Sequence, residues 1–403
     1  MESRFDPNEN FSAGDLHWAA SIIKKTRLEK EWSQEALSHG ICAVSTLSKI
    51  ESGAALPSLE MLELFERKLG IRLPLPDWQQ KQREKHWFDL LEEGRMLEFG
   101  DEFRLFKEQR IAKGELLDLN ETLLDGLESE GKGPVDLSEE ILPFMNGTQK
   151  AMFYLLTKNF ERSVSYDVSP WIALYCSIRM YDDQYNESAV LEMADKAYQK
   201  AADEGQVRLM GLISHHQAVV YSNIDEQQKA LKCINRSLRI FTAIKADEEL
   251  QGVFYNFGCI SMQAGDFEKA LSFFEKDDPG FMTLIKRALC HEQLHQMEKA
   301  RALLNLARTA NESPTRHEWP APIRDRIIRL LEMRLDLTDW LHDPEYGRTL
   351  EELFDQLQTS SIHKGFAQFC LPWMIQYYKA NRQYAKLAAL LENFPGKPLF
   401  RVT

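Results

Sequence analysis

Several features that mark membrane proteins and secreted proteins are scarce or missing in this sequence of 403 residues. No apolar run is long enough to cross a bilayer, and the polar, acidic first dozen residues do not resemble a signal peptide. The six cysteines are scattered and form no CxxC pair, which is typical of reduced thiols in the cytosol. We therefore expect a cytoplasmic protein without membrane contacts.

Glycine and proline are also sparse, at 20 and 15 residues, and no long stretch alternates polar and apolar side chains. This pattern predicts an all-α protein, and the length suits two or three domains. The sequence has no phosphate-binding glycine loop, no GxSxG motif and no recognisable pairing of a cysteine with a histidine. We expect no cofactor and no enzymatic activity.

The stretch from Ser33 to Gly53 has the pattern of a helix-turn-helix that enters DNA. Ser33 is a good N-cap for a short helix, and a second helix is predicted from Val44 to Glu51. On this second helix the apolar residues lie three apart and face the core, so short polar side chains point outward to base edges and phosphates. The candidate DNA-contacting residues are Gln34, Val44, Ser45, Thr46, Ser48 and Lys49. As an alternative, these residues are ordinary caps and surface positions.

Two flanking helices complete a compact module. The first is predicted from Asp15 to about Lys30, and the last begins after the N-cap Ser58 and ends at Gly70. Residues 1–74 carry 9 basic and 11 acidic side chains, and the whole chain has a net charge of -13. The charge argues against a large nucleic-acid footprint, so DNA binding is confined to one small face and needs a dimer. The basic residues predicted for that face are Lys24, Lys25, Arg27, Lys30 and Lys49.

A proline-containing joint, Leu73-Pro74-Leu75-Pro76, separates this module from the rest of the chain. Asp77 then opens a linking helix, and an exposed loop is predicted from Glu128 to Asp136. The predicted domains are a DNA-binding domain at 1–72, a linker helix at 73–98 and a repeat domain at 99–403.

Internal repeats define the second part. The best one has aromatic residues on a first helix, small residues where two helices cross, and a Gly265-Asp266 turn, which fits the tetratricopeptide pattern. Its residues are Phe254, Phe257, Gly258, Gly265, Asp266, Phe267, Ala270 and Phe274. Matching offsets recur upstream at Ala218, Tyr221, Ala230 and Ile234, and downstream at Ala288, His291, Ala300 and Leu304. Weaker candidates lie at 171–202 and 366–391, so five or more hairpins are expected to stack into a superhelix that holds an extended peptide.

A DNA-binding module of this type, followed by a linker helix and degenerate repeats, resembles the RRNPP family of Gram-positive quorum-sensing regulators. The module itself resembles the lambda-repressor-like, or XRE-type, helix-turn-helix family, in which an arginine pairs with the glutamate that ends the recognition helix. The matching positions here are Arg27 and Glu51. The likeness is close in sequence only over residues 27 to 64. It implies a homodimer that binds promoter DNA and a short signalling peptide, and in some relatives a response-regulator protein as a further partner.

A groove for an extended peptide needs side-chain amides that pair with the peptide backbone. By repeat offset, the candidate peptide-binding residues are His216, Tyr221, Asn223, Tyr255, Asn256, Gln263, Lys286 and Gln293. Asn256 occupies the position where peptide-clamping repeats often place an asparagine, and Lys286 could meet a peptide carboxylate. As an alternative, these residues are solvated or bridge neighbouring repeats.

One motif points to another class of protein. Residues 291–295 read HEQLH and match the HExxH zinc motif of metallopeptidases, which are also known fused to XRE modules. In the repeat pattern, however, His291 packs inside a hairpin and His295 falls in the turn. We therefore expect no metal site here, and we keep the zinc peptidase as the less favoured alternative. The favoured mechanism is peptide-controlled DNA binding, in which the peptide changes the spacing of two DNA-binding modules.

Overall fold

The computed structural model describes residues 11–129, 137, 139–166, 169–183, 185–277, 279–310, 319–359 and 370–393. Within these ranges every regular element is a helix, so the predicted all-α fold is confirmed. No helix in the same ranges is both long and apolar enough to span a membrane. The chain divides into two compact units, one of residues 1–180 with 199–209, the other of residues 181–198 with 210–403.

Unit 1 begins with four helices whose bounds agree closely with the sequence prediction. Ser33 and Ser58 cap helices through their side chains, and Gly70 ends the fourth helix in the left-handed conformation. A small apolar core, including Ile23 and Phe65, holds the four helices together. The helices are α1 (Ala13–Glu29), α2 (Gln34–Ser38), α3 (Val44–Glu51) and α4 (Leu59–Leu69).

The rest of unit 1 starts with the predicted linking helix. Asp77 caps this helix in a capping box with Gln80, and Trp87 on the same helix packs edge-on against Phe103 and Phe106. Of the loop predicted at 128–136, residues 130–136 lie outside the described residues. The elements are α5 (Trp78–Glu92), α6 (Met96–Ala112), α7 (Leu119–Glu128), a 3-10 helix η1 (Glu139–Phe144), α8 (Gly147–Leu156), α9 (Phe160–Val164) and α10 (Pro170–Asp182), the last up to Met180.

Helix α1 also packs against later parts of unit 1. The His17 ring stacks on the Phe144 ring of η1 with centroids 3.3 Å apart. Trp18 donates its indole N–H to the Leu117 carbonyl oxygen, just before α7, at 3.0 Å. The first helix is therefore held by both apolar and polar contacts outside the four-helix module.

A cluster of buried carboxyl groups joins α5 to α7. Glu84 of α5 is buried near Asp118, the N-cap of α7, and Glu121 in its first turn. Asn120 donates its side-chain amide to Glu84 Oε2 at 2.6 Å. Burial is the main cause that raises the pKa of Glu84, and burial with the neighbouring Glu121 and Glu84 charges raises that of Asp118 well above its usual value.

These raised pKa values predict a pH-dependent stability. When the pKa of a carboxyl group is higher in the folded protein than in the unfolded chain, where it is near 4, the folded state binds the proton more tightly. The stability that this gives is present in acid and is lost as the pH rises above about 4. The free energy of unfolding should therefore fall as the pH rises above about 4, and Glu84→Gln should flatten this slope. Urea unfolding at several pH values checks this, with the exposed Glu192→Gln as control. A slope that Glu84→Gln leaves unchanged would contradict it.

Unit 2 consists of consecutive helices that pack as hairpins. In the best predicted repeat, Gly265 is left-handed in the turn and Asp266 caps the second helix through Lys269 N–H. Helices lie at the predicted repeat positions, and those of residues 254–274 and 288–304 pack as hairpins. Residues 366–369 of the last candidate lie outside the described residues. The pairing of the helices at 171–202 and the assignment as tetratricopeptide repeats stay predictions. The helices are α11 (Glu187–Asp203), α12 (Val207–Asn223), α13 (Gln227–Ile244), α14 (Asp247–Gln263), α15 (Phe267–Phe274), α16 (Phe281–Gln293), α17 (Met297–Thr309), α18 (Ala321–Asp336), η2 (Trp340–His342, a 3-10 helix), α19 (Pro344–Thr359), α20 (Leu371–Ala380) and α21 (Tyr384–Asn393); α11 and α12 each have a few residues in unit 1.

Close helix crossings recur at glycines in this unit. A Cβ added at Gly258 would lie 2.5 Å from the Phe274 ring of the next helix, and one at Gly211 would lie 2.6 Å from the ring of Phe241. Gly347 meets the Tyr377 ring in the same way. A ring on one helix thus fills the space that a missing side chain leaves on another, which explains the small residue predicted at the crossing.

The Gly258→Ala variant should therefore be destabilised by about 1–3 kcal/mol, because the added methyl group overpacks the crossing. The matched control is Gly100→Ala in the middle of α6, where an added Cβ meets no atom within 4 Å. The control should gain up to about 1 kcal/mol from helix propensity. Urea unfolding of both variants measures the difference, and equal effects would show that the crossing is not tightly packed.

Candidate functional site

Helix α3 has the two faces that the sequence predicts. Leu47 and Ile50 are buried in the core of the four-helix module, while Val44 and Lys49 are exposed. Ser45 and Ser48 are exposed as well, and Thr46 is half-buried. The exposed face therefore offers two hydroxyl groups, an ammonium group and an apolar side chain, all of which are suited to base edges and phosphates in a major groove.

A buried ion pair fixes α3 on α1. Arg27 donates its Nε to Glu51 Oε1 at 2.6 Å and its Nη2 to Glu51 Oε2 at 2.9 Å, so the contact is bidentate. Arg27 also donates Nη1 to the Trp32 carbonyl oxygen, and the hydrogen bond with Glu51 raises the pKa of Arg27. Gln34 donates its side-chain amide to the same carboxylate at 2.7 Å.

This pairing corrects one part of the predicted basic face. Arg27 was expected on the DNA-facing surface, but its side chain is only 8% exposed and is occupied by Glu51. The prediction was wrong because Arg27 points from α1 toward the end of α3 rather than to solvent. Lys24, half-buried on the same helix, lies 3.4 Å from Glu140 of η1. Lys25, Lys30 and Lys49 are exposed.

In unit 2, pairs of side chains bridge the first helices of consecutive hairpins. Between α12 and α14, Asn256 donates its side-chain amide to His215 Nε2 at 2.7 Å, and Ser222 donates to the side-chain oxygen of Gln263. Burial lowers the pKa of His215 to about 4, so the imidazole is neutral near pH 7 and can accept this hydrogen bond. We call these contacts, with those described next, the inter-helix bridges.

Bridges of the same kind continue on both sides. From the end of α10, Tyr181 accepts a hydrogen bond from the Asn223 side chain, and its ring packs edge-on against His216 at 6.0 Å. Between α14 and α16, the Lys286 ammonium group lies 2.8 Å from Cys259 Sγ and 4.4 Å above the centre of the Tyr255 ring. Burial disfavours the ammonium form, but the Cys259 and Tyr255 contacts outweigh it and raise the pKa of Lys286.

The inter-helix bridges thus bring together six of the eight residues predicted to bind a peptide: His216, Asn223, Tyr255, Asn256, Gln263 and Lys286. Tyr221 instead lies under Lys229 of α13, within its own hairpin, and Gln293 is half-buried at the last position of α16. Tyr181 was missed by the sequence reasoning because its role depends on where α10 ends relative to α12, for which the sequence carries no local signal.

A further bridge between α16 and α18 was also missed. The buried Arg334 donates its Nε to Glu292 Oε1 at 2.8 Å. Its guanidinium group lies between the Trp340 and Trp373 rings, 4.6 and 5.1 Å from their centres. Glu292 is the glutamate of the HEQLH run, so this carboxylate holds an arginine in place.

The HEQLH residues do not have the geometry of a zincin helix. Helix α16 ends at Gln293, and His295 lies in the following turn with a φ of 56°, so the two histidines are not on one helical face. His291 is buried and its Nδ1 lies 2.9 Å from the Gln296 side-chain oxygen. Among the described residues, no group of three or more potential metal ligands comes together. The positions of both histidines agree with the sequence prediction.

The Arg27 and Glu51 pair allows a test of how the module is held. Arg27→Met should destabilise the N-terminal module by about 3–5 kcal/mol, because the Glu51 charge stays buried without an opposite charge and keeps only the Gln34 amide as a partner. The double variant Arg27→Met/Glu51→Leu should recover most of this loss. Thermal unfolding of the three proteins, with circular dichroism as the readout, gives the comparison. A double variant as unstable as the single one would contradict it.

Comparison with known proteins places the N-terminal module. Residues 23–75 match a family model described as helix-turn-helix. No curated protein sequence matches the chain.

Solved structures with a similar arrangement include three bacterial proteins. The structure of Bacillus thuringiensis PlcR in complex with the peptide PapR7 and DNA has 16% identity, covers 72% of this chain and 99% of its own, and has a TM-score of 0.33. The apo form of the quorum sensor NprR from B. thuringiensis has 15% identity, coverages of 77% and 98%, and a TM-score of 0.46. The apo form of the competence regulator ComR from Streptococcus vestibularis has 15% identity, coverages of 73% and 99%, and a TM-score of 0.33.

With the family match and the exposed face of α3, the N-terminal module of this chain is a helix-turn-helix DNA-binding domain.

Proposed function

We propose that this protein is a transcription regulator of the RRNPP type, whose helical body binds a short signalling peptide and thereby controls promoter binding. The observation that carries the proposal is the combination of a helix-turn-helix domain with a line of bridged polar side chains on the first helices of unit 2. The sequence resemblance described above supports the same assignment. No feature of the described residues calls for catalysis.

On the DNA side, α3 is the recognition helix. Its Ser45, Ser48 and Lys49 side chains contact base edges and phosphates, with Val44 and Thr46 in apolar contact with the groove. Gln34 is held by Glu51 in the free protein, and in the complex its amide turns to a phosphate at the edge of the site. A homodimer is needed because this surface is small and the chain is acidic overall.

On the peptide side, the inter-helix bridges are the binding surface. An extended peptide exposes N–H and C=O groups, and a side-chain amide can pair with both. The Asn256 amide leaves His215 and pairs with the peptide backbone. Gln263 on the same helix and Asn223 on α12 exchange their internal partners for the peptide in the same manner. The Lys286 ammonium group receives a carboxylate of the peptide, which is a stronger partner than a thiol.

The bridges also couple the two events. Each one spans two hairpins, so a peptide that replaces the internal partner changes the contact between consecutive first helices. Such a change shifts the equilibrium between two arrangements of the body, provided the peptide prefers one of them. In a dimer, this shift changes how well the two recognition helices match half-sites that are spaced by about one turn of DNA.

The DNA contact is tested by Lys49→Gln. The variant should bind promoter DNA more weakly, and the slope of log affinity against log salt should fall by about 0.9 for each protomer, or roughly 1.8 for the dimer, because each protomer loses one phosphate contact. Thermal stability should stay the same, since Lys49 is exposed. The matched control is Arg67→Gln, which removes one exposed positive charge from α4 of the same domain. Equal losses for both variants would indicate a general charge effect and not a recognition helix.

The peptide contact is tested by a titration of the protein with its own upstream promoter DNA, with and without the small-peptide fraction of spent medium from the source culture. The fraction should change the affinity or stoichiometry of the complex. Asn256→Ala should reduce this response about tenfold or more, because an amide that pairs with the peptide backbone is lost. The matched control is Asn235→Ala on α13, whose side chain bonds within its own helix. Tight DNA binding that no peptide alters would contradict peptide control.

A further inference from the structure

A cavity of about 590 Å³ lies between the facing sides of α5 and α6 in unit 1. It takes no part in the DNA contact or the peptide contact proposed above. Cavities of 300–1,000 Å³ are typical of sites for small organic ligands. The lining residues recur every three or four positions on each helix, so one face of α5 and one face of α6 form opposite walls.

The cavity is rich in positive charge although the chain is acidic. Four basic side chains line it: Arg72, Arg83, Arg110 and Lys113. Arg110 is committed to the protein, because its Nη1 donates to Glu115 at 2.8 Å and its Nη2 donates to Glu121 at 2.8 Å. The other three are exposed and form no ion pair within the part of the chain that the structure describes.

The lining also has three carboxylates, Asp77, Glu102 and Glu115. Asp77 accepts the Gln80 backbone N–H at 2.8 Å, and Glu102 lies 3.1 Å from His86 Nε2. The hydrogen bond from Arg110 and the nearby Arg110, Lys113 and Arg72 charges lower the pKa of Glu115. Four cations thus face three carboxylates, and Arg72, Arg83 and Lys113 are the cations that no ion pair within the described residues holds.

One of these cations is held in position by an aromatic ring. The Arg83 guanidinium group lies 4.8 Å from the centre of the Phe106 ring, and the Arg110 group lies against the same ring at 5.6 Å. Arg83 is therefore ordered without an anion, which lowers the entropic cost of binding one. Phe106, Trp87 and Leu105, which is 59% exposed, provide apolar surface beside the charges.

We propose that this cavity binds a phosphorylated organic molecule of about the size of a nucleotide. A phosphate group presents several oxygens in different directions and suits two guanidinium groups and an ammonium group that approach from separate segments. The volume is far larger than a phosphate ion needs, and the apolar wall fits the organic part of the ligand. The proposal is independent of peptide binding.

The location gives such a ligand a route to the DNA-binding domain. Arg72 lies shortly after Leu69, the last residue of α4 in that domain. Arg83 belongs to α5, and Lys113 is the C-cap of α6. A ligand that contacts all three would tie the Leu73-Pro74-Leu75-Pro76 joint to the α5 and α6 pair. It would thereby restrict the movement of the joint.

The test is calorimetric titration of the full-length protein at constant ionic strength. The probes are adenosine diphosphate and glucose 6-phosphate, with inorganic phosphate and citrate for comparison. The double variant Arg72→Gln/Arg83→Gln removes two exposed cavity charges, and Arg326→Gln/Arg329→Gln on α18 removes two charges elsewhere. We expect saturable binding of at least one phosphorylated probe, more than tenfold tighter than inorganic phosphate. The cavity variant should weaken it about tenfold or more, and the control variant should not.

Four results would overturn the proposal. The first is the absence of saturable binding by both phosphorylated probes. The second is an equal loss of binding in the two double variants. The third is tighter binding of citrate, which would make the ligand a carboxylate. The fourth is a loss of duplex DNA affinity in the cavity variant alone, without any probe, which would assign these cations to a DNA contact.

Discussion

The fold of this protein depends on the need of each helical hairpin to bury its apolar stripe against the next one. In unit 2 this is achieved at crossings where a glycine admits a ring, as Gly258 does for Phe274. Close crossings bring the first helices near enough for side chains to bridge them. The polar contacts of Asn256 and Lys286 are therefore a consequence of the apolar packing, and they occupy the positions where a ligand would meet several hairpins at once.

Arginine side chains have different roles at different places in the chain. The DNA-binding domain has a small exposed basic surface, and its buried arginine serves to fix the recognition helix through Glu51. A similar use of arginine recurs in unit 2, where Arg334 is clamped by Glu292 and two tryptophan rings. In both places a cation that looks available in the sequence is committed to structure. By contrast, Arg72 and Arg83 are exposed beside a cavity, which distinguishes these two arginines, proposed to bind a ligand, from the two that hold the structure together.

Much of the N-terminal domain could be predicted from sequence because its signals are local. Ser33, Ser58 and Gly70 act within one turn of the helix they begin or end, so the ends of α2 and α4 could be placed from them. Helix α3 has the predicted bounds of Val44 and Glu51, and its signal was the spacing of its apolar residues, because its N-cap Ala43 makes no side-chain hydrogen bond. The hairpin around Gly265 was predictable for the same reason. The partner of Asn256 was not, because the His215 contact depends on the distance between two helices 41 residues apart in the chain. The cavity between α5 and α6 was not predictable either, because it forms only when the two helices pair. In the sequence, their charged residues look like ordinary surface positions.

The half-buried His215 has a consequence for the conditions in which unit 2 can respond. Its pKa of about 4 lies well below neutral pH, so the imidazole stays uncharged when the pH changes by about one unit on either side of 7. The hydrogen bond with Asn256 therefore does not register acidity. If a ligand acts through this contact, the response would depend on the concentration of the ligand and not on changes in pH near neutrality.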